Sequence, residues 1–304
     1  MKILLHYRHF PMAIGRYFDF ALRDLGHDVK TIGCYNGPNI PWGEQYNFPK
    51  YDSPPDIQIP EMEDFPLDYV LSKLGDWEPD IVIQASDVTY LSGQPKLPIP
   101  NVIIATDPHA VDYSTRLRNA THFFCMQNNY LSRYDFPNKY WLPYAYEPSI
   151  HYNMHLEPEY DVVFIGLQYP QRLQVLDTLR QRGWNVFHSL GYIFDEYREI
   201  YNKGKIAFNW SSIDDLPARF WEGMAMGRCM VTNHVPDLDI LMTDFSLPAS
   251  SCSIFTDFHA AIYCIEEMLT QGLWKNTASE GEEWVKPHTW QSRCKEMLEI
   301  VCQK

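Results

Sequence analysis

The 304-residue chain is 45% apolar and carries 25 basic against 39 acidic residues, a formal charge of −14. That length is comfortable for two domains, and the apolar fraction can fill sizeable cores. The acidic balance extends over both halves, which argues against broad binding to nucleic acid or membrane surfaces and leaves only a local basic groove open. Seven cysteines, at 34, 125, 229, 252, 264, 294 and 302, form no C-x-x-C pair. They sit mostly in apolar contexts and read as reduced core thiols of a cytoplasmic protein. The opening MKILLHYRHF has too short an apolar run for a signal peptide, and no stretch is long enough to span a bilayer.

In chain order, Lys2–Tyr7 reads as an apolar strand, Met12–Leu25 as a helix stopping at Gly26, and Asp28–Gly33 as a strand. Cys34–Asp64 is rich in Pro, Asn and Tyr without a period and reads as an irregular excursion. A helix follows at Pro66–Trp77, then strands at Asp80–Ala85 and Asn101–Thr106 separated by a Pro-punctuated loop. Two short strands, His122–Gln127 and Tyr140–Pro143, flank a helix at Asn128–Tyr134. Pro148–Glu159, polar and carrying two prolines, is the linker candidate, with domains expected at 1–148 and 149–304. The pattern then restarts: strand Tyr160–Gly166, helix Arg172–Arg182, strand Asn185–Leu190, helix Asp195–Asn202, strand Lys205–Asn209. A helix containing Arg219, strands Cys229–Thr232 and Cys252–Phe255, and helices His259–Gln271 and Trp290–Val301 complete it. Strands alternating with helices imply parallel sheets with right-handed crossovers. The expected fold class is α/β, two Rossmann-like domains facing a cleft.

Within this pattern, Lys205–Gly227 (KIAFNWSSIDDLPARFWEGMAMG) is the most informative stretch. It reads as a strand, a polar loop and a helix that opens with Arg219 and Glu222. A strand end followed by a helix N-terminus is where open α/β sheets take phosphorylated ligands. Residues three apart share a helix face. The cation there could neutralise phosphate while the carboxylate accepts hydrogen bonds from sugar hydroxyls. That pairing suggests a nucleotide-sugar site.

The segments YDVVFIG with Tyr169, Pro170 and Arg172, then KIAFNWS, ARFWEGMAMGRCMVTN, FTDFHAAIYCIEEML and HTWQSRCKEML follow one another in a characteristic order. Together with IATDPH and WLPYAYEPSIHY in the preceding region, they resemble the glycosyltransferases of the GT-B fold. The spore-maturation CgeB-like group and its relatives in family 4 are the nearest in pattern. The resemblance covers most of residues 100–304. It implies two Rossmann-like domains, the first for acceptor and the second for a nucleotide sugar, most simply a UDP-sugar, with the last helix returning to the first domain. It also implies sugar transfer without metal and with retention of anomeric configuration, the leaving phosphate helping to deprotonate the acceptor. Two departures stand out. Of the family's two carboxylates, the second falls on Glu222 and the first on Asp214, a shorter side chain in a loop. Gly223 replaces a frequent Ala.

The resulting donor-binding candidates are Arg219, Glu222, Gly166, Arg172 and Asn209. Asp107 and His109, after the fourth strand, are catalytic candidates contacting the transferred sugar or the acceptor, alongside Asp214. Arg8, His9 and Arg16, near His6 and Gly15 in the first strand–helix loop, are acceptor-side candidates. A D-x-D at Asp237 and Asp239 could hold a metal-bound diphosphate, but its place after a Pro at a helix start favours capping. The eleven His show no ligand spacing, and neither a P-loop nor G-x-G-x-x-G occurs. The acceptor is read as a glycan or surface-structure precursor, or else a hydroxymethylated DNA base, for which Arg116, Arg118, Arg133 and Lys139 would track phosphates. Competing readings are a nucleotide-sugar 2-epimerase and a non-catalytic nucleotide-sugar-binding protein.

Overall fold

The computed structural model describes residues 1–41, 43–93 and 99–303. The chain divides into two compact units, Met1–Pro143 together with Trp290–Lys304, and Tyr144–Thr289. The segment 148–159 runs inside the second unit.

The first unit is built on seven parallel strands: β1 (Lys2–His6), β2 (Asp28–Gly33), β3 (Ile57–Gln58), β4 (Ile81–Gln84), β5 (Asn101–Ala105), β6 (His122–Cys125) and β7 (Lys139–Trp141). Their spatial order is β7-β6-β5-β4-β1-β2-β3. Sheets covered on both faces need strands that are apolar throughout. Accordingly β4 and β5 are buried along their whole length, and Leu4 of β1 packs with Ile32, Val82, Leu67 and Val70 in one core cluster. Helices α1 (Ile14–Asp24) and α2 (Leu67–Lys73) belong to this unit; α2 is shorter at both ends than the sequence pattern suggests. The excursion after β2 contains β3 and a small antiparallel pair, Asn39–Ile40 with Gly43–Asn47. The segment after β6 winds as a 3₁₀ helix, Asn128–Arg133, and the Pro-punctuated loop before β5 lies partly outside the described residues.

The second unit holds β8 (Tyr160–Ile165), β9 (Val186–Ser189), β10 (Gly204–Asn209), β11 (Cys229–Asn233) and β12 (Cys252–Phe255), all parallel in the order β9-β8-β10-β11-β12. Helices α3 (Pro170–Gln181), α4 (Phe194–Asn202), α5 (Ala218–Ala225), α6 (Pro236–Asp244), α7 (Phe258–Thr270) and α8 (Trp274–Val285) cover it. Val162, Phe164, Ile206, Phe208 and Val231 fill one face of the core with Val175 and Leu179 of α3 and Ile262 and Ile265 of α7. Asp257 caps α7 by accepting from the Ala260 N–H at 2.9 Å.

Helix α8 has no counterpart in the sequence reading. Its WKNTASEGEEWV contains few apolar residues and an internal Gly, so no helical stripe is visible. Tertiary packing supplies what the pattern lacks. Gly281 lies against the Ser251 carbonyl, Trp284 stacks on Trp221 of α5 at 5.4 Å, and the Trp284 indole N–H donates to the Phe245 carbonyl at 3.0 Å.

The last helix, α9 (Trp290–Cys302), belongs to the first unit and packs on α1. Trp290 is fully buried, stacked on Tyr17 at 5.7 Å and tilted against Phe18 at 5.2 Å. Arg293 donates to the Pro143 carbonyl at 3.2 Å, and burial pushes its guanidinium down to about 10.

Candidate active site

The donor-binding candidates converge within the second unit, at the carboxyl ends of β8 and β10 and on α5. Arg219 lies in the first turn of α5, half-buried, and its position is over-determined. Its Nε donates to the Ile165 carbonyl at 3.0 Å and one terminal nitrogen donates to Asn209 Oδ1 at 2.8 Å. Asn209 is fully buried and anchored by its own amide to Thr232 Oγ1 at 3.0 Å. Arg172, near the start of α3, donates to the carbonyls of Trp210 at 2.7 Å and Leu167 at 2.8 Å. Both guanidiniums lie over the Phe164 ring, at 4.7 Å for Arg219 and 5.4 Å for Arg172. Among the described residues, neither forms an ion pair with a carboxylate. Burial, and then the like charge of Arg219, pushes Arg172 down to about 10. Two cations held by neutral carbonyls and a shared ring leave positive charge to be matched by an anion.

Gly166 sits directly after β8 with φ +154°. A Cβ there would lie 2.2 Å from a terminal nitrogen of Arg219 and 3.5 Å from the Phe164 ring, so the guanidinium occupies the space a side chain would need. Gly166→Ala should therefore displace the Arg219 guanidinium and also strain the backbone, because φ +154° is a conformation that L side chains rarely adopt. The expected result is a fall in turnover on the order of ten- to a hundredfold together with a lowered unfolding midpoint, on the order of 1 to 3 kcal/mol of backbone strain. Unaltered turnover of the folded variant, measured below its midpoint, would remove Gly166 from the site. Gly223 has a comparable packing reason: a Cβ would come within 2.6 Å of Met230 and 3.0 Å of Ala207, so α5 lies close on β10 and β11.

Glu222, one turn beyond Arg219, is buried. Its Oε2 accepts from the Tyr197 hydroxyl at 2.7 Å, and its Oε1 lies 3.5 Å from His151 Nε2. Sequence reasoning did not find Tyr197 or His151. The sole trace is the placement of Tyr197 and Tyr201 four apart on the inner face of α4. Asp214 is exposed, in left-handed backbone (φ +54°), within the loop before α5. The neighbouring Asp215 is the buried carboxylate of that loop; it accepts from Ser211 Oγ at 2.5 Å, and its own N–H donates back to that oxygen at 2.9 Å.

The remaining candidates belong to the first unit. Asp107 and His109 form a turn after β5; the Asp107 carbonyl accepts from the N–H groups of Ala110 and Val111, and His109 is exposed. Arg8 donates to Asn36 Oδ1 at 2.8 Å and pairs with Glu61 at 3.2 Å. Arg16 donates to the Pro11 and Tyr51 carbonyls. His9 is buried, stacked on Tyr7 at 3.8 Å, with Nδ1 3.2 Å from the Ser53 carbonyl. Burial pushes it down to about 4, and pushes the fully buried His6 down to about 3 with help from Arg116.

The basic quartet does not form a free stripe. Arg116 is buried and donates to the Ser86 and Asp87 carbonyls, and Lys139 donates to those of Leu131 and Tyr134. Arg118 and Arg133 are exposed, the latter over the Tyr130 ring. In the D-x-D, Asp237 is buried inside the first turn of α6, whose N-cap residue is Val235, and Asp239 faces His234 at 3.0 Å. Val235 rather than Asp237 holds the cap because the extended backbone ends one residue before Pro236.

Residues 151–299 match the glycosyl transferase-like family. The match covers most of the second unit and part of α9, just under half of the chain, and the chain has the GT-B fold. Among solved structures, HepE of Anabaena in complex with UDP and glucose is similar over 99% of each chain, with TM-score 0.67 and 10% identity. Sucrose-phosphate synthase from Thermosynechococcus elongatus is similar over 99% of this chain and 98% of its own, with TM-score 0.62 and 13% identity. WaaG, a glycosyltransferase involved in lipopolysaccharide biosynthesis, is similar over the whole of both chains, with TM-score 0.61 and 12% identity. No curated protein sequence matches this chain. The protein is thus a sugar-transferring enzyme of the α/β class, and no helix among its described residues is long and apolar enough to cross a membrane.

Proposed function

We propose that this glycosyltransferase moves a sugar from a nucleoside diphosphate sugar, with UDP as the carrier, to a hydroxyl acceptor. The observation carrying the donor reading is the pair Arg172 and Arg219, two buried or half-buried cations at a strand carboxyl end with no ion-paired carboxylate among the described residues. They would take the diphosphate, with Gly166 allowing close approach and Asn209 holding Arg219 in place. Glu222 would accept from the ribose hydroxyls. HepE, similar in fold, carries UDP and glucose, which supports the choice of uridine.

In the transfer, the bond between the anomeric carbon and the phosphate oxygen breaks while one to the acceptor oxygen forms. The acceptor proton passes to the leaving phosphate, with retention of configuration. Arg172 and Arg219 would stabilise the charge that develops on the leaving group, the task that a cation clamp performs best in a partly desolvated site. Asp107, His109, Asp214, Arg8, His9 and Arg16 are proposed on the sugar and acceptor side. Of the two acceptors, the glycan or surface precursor is favoured, because Arg116 and Lys139 spend their charge on carbonyls rather than on a phosphate track. A cytoplasmic setting is proposed from the seven free cysteines, five of them buried.

A panel of UDP, GDP, dTDP, ADP and CMP, without added metal, tests the donor site by thermal shift. A nucleotide at a hundred times its dissociation constant should stabilise by about 2.7 kcal/mol, with UDP expected to lead. Release of UDP from a UDP-sugar together with a new glycoside establishes transfer. Release with an altered free sugar and no acceptor would point to the epimerase, and binding without turnover to a non-catalytic protein.

A further inference from the structure

The two oxygens of the Glu222 carboxylate are each approached by a different part of the chain. Tyr197 of α4 donates to Oε2 at 2.7 Å. His151 approaches Oε1 from the other side at 3.5 Å. The tautomer of His151 follows from its other nitrogen: the Glu147 N–H donates to Nδ1 at 3.1 Å, so Nδ1 is the acceptor and the proton resides on Nε2, beside the carboxylate. The loop that presents His151 is itself tied, since the Glu147 carboxylate accepts from the N–H and hydroxyl of Ser149.

The same α4 face reaches the cation. Tyr201, one turn on and with its ring 4.6 Å from that of Tyr197, accepts from the Ile165 N–H at 3.4 Å, and the Ile165 carbonyl accepts from Arg219 Nε at 3.0 Å. Both tyrosines and His151 are buried.

We infer that Tyr197 and His151 are positioning residues that lock the Glu222 carboxylate in one orientation, leaving its remaining lone pairs for two adjacent hydroxyls of a bound nucleotide. This rests on the reading of Glu222 as the ribose contact. A carboxylate held from both sides discriminates by geometry, because a hydroxyl must come to the fixed lone pair. One left free to rotate would accept from whichever hydroxyl or water was near. Tyr197→Phe keeps the ring and its packing on Tyr201 and removes one hydroxyl; His151→Asn removes the contact to Oε1.

The test measures binding of UDP, 2′-deoxy-UDP, 3′-deoxy-UDP and inorganic pyrophosphate by calorimetry to wild type, Tyr197→Phe, His151→Asn and Glu222→Gln. Wild type should prefer UDP to each deoxy nucleotide by about tenfold, the scale of a hydrogen bond to a charged group. In Tyr197→Phe the preference should shrink to roughly two- to threefold, with pyrophosphate affinity unchanged and His151→Asn changing in the same direction. A role confined to holding the fold would weaken UDP and pyrophosphate alike and leave the ratio intact. The inference is overturned if Glu222→Gln abolishes the preference while Tyr197→Phe and His151→Asn retain it. Equal wild-type binding of UDP and both deoxy nucleotides would instead sink the ribose reading of Glu222, and this inference with it.

Discussion

Arg219→Ala should lower kcat/KM with a UDP-sugar by about 10² to 10³, on the order of 3 to 4 kcal/mol of lost transition-state stabilisation. The side chain is fixed before any ligand arrives, by the Ile165 carbonyl, by Asn209 and by the Phe164 ring. No reorganisation is needed when charge develops on a leaving diphosphate. Arg219→Lys should recover only part of the loss, since an ammonium cannot serve Ile165, Asn209 and a ligand with one planar fork. Arg172 should not compensate, because the Trp210 and Leu167 carbonyls hold its guanidinium in its own place. Steady-state kinetics with circular dichroism as a folding control decides the matter. A folded Arg219→Ala protein with unaltered kcat/KM would refute the assignment.

Acid should unfold this protein well before its carboxylates alone would dictate. His6 is pushed down to about 3 and His9 to about 4, in both cases first by burial, so both are neutral in the folded state. Unfolded histidines titrate near 6.5, so between that pH and the folded values the unfolded chain binds more protons. The stability associated with keeping them neutral is fully present above about pH 6.5 and is lost as pH falls towards 4 for His9 and 3 for His6. At about 1.4 kcal/mol per pH unit per group, the two together weaken the fold by several kcal/mol by pH 4.5. Urea midpoints from pH 7 to 4.5 measure the slope. His6→Gln should flatten it, whatever it does to stability at pH 7; an unchanged slope would mean that His6 does not carry the effect.

The parts of this molecule legible in the sequence were those written as continuous apolar runs. Strands such as ILL, IVIQ, NVIIA, VVFI and IAFN are buried on both faces, so their period is lost but their outline is sharp. The arginine and carboxylate of α5 were legible because a strand, a polar loop and a short helix follow one another within 23 residues. What surrounds them was not. His151 and Tyr197 reach Glu222 from 71 and 25 positions upstream, and nothing local marks either one. Phe164 reads as an ordinary core residue until two guanidiniums are seen over its ring. Helix α8 was invisible for the opposite reason: its stability comes from what it packs on, including Trp221, rather than from its own pattern.

The return of α9 to the first unit has a consequence for how the protein is made. Residues 144–289 form the second unit as one uninterrupted piece, available for closure while later residues are still being added. The first unit is different. Its opening 143 residues leave the emerging chain long before Trp290 can slot against Tyr17 and Phe18. For the whole interval in which the second unit is synthesised, α1 presents an aromatic surface with nothing on it. The first unit, begun before the second, is therefore completed after it, and its α1 face is open to misassociation throughout the interval between them.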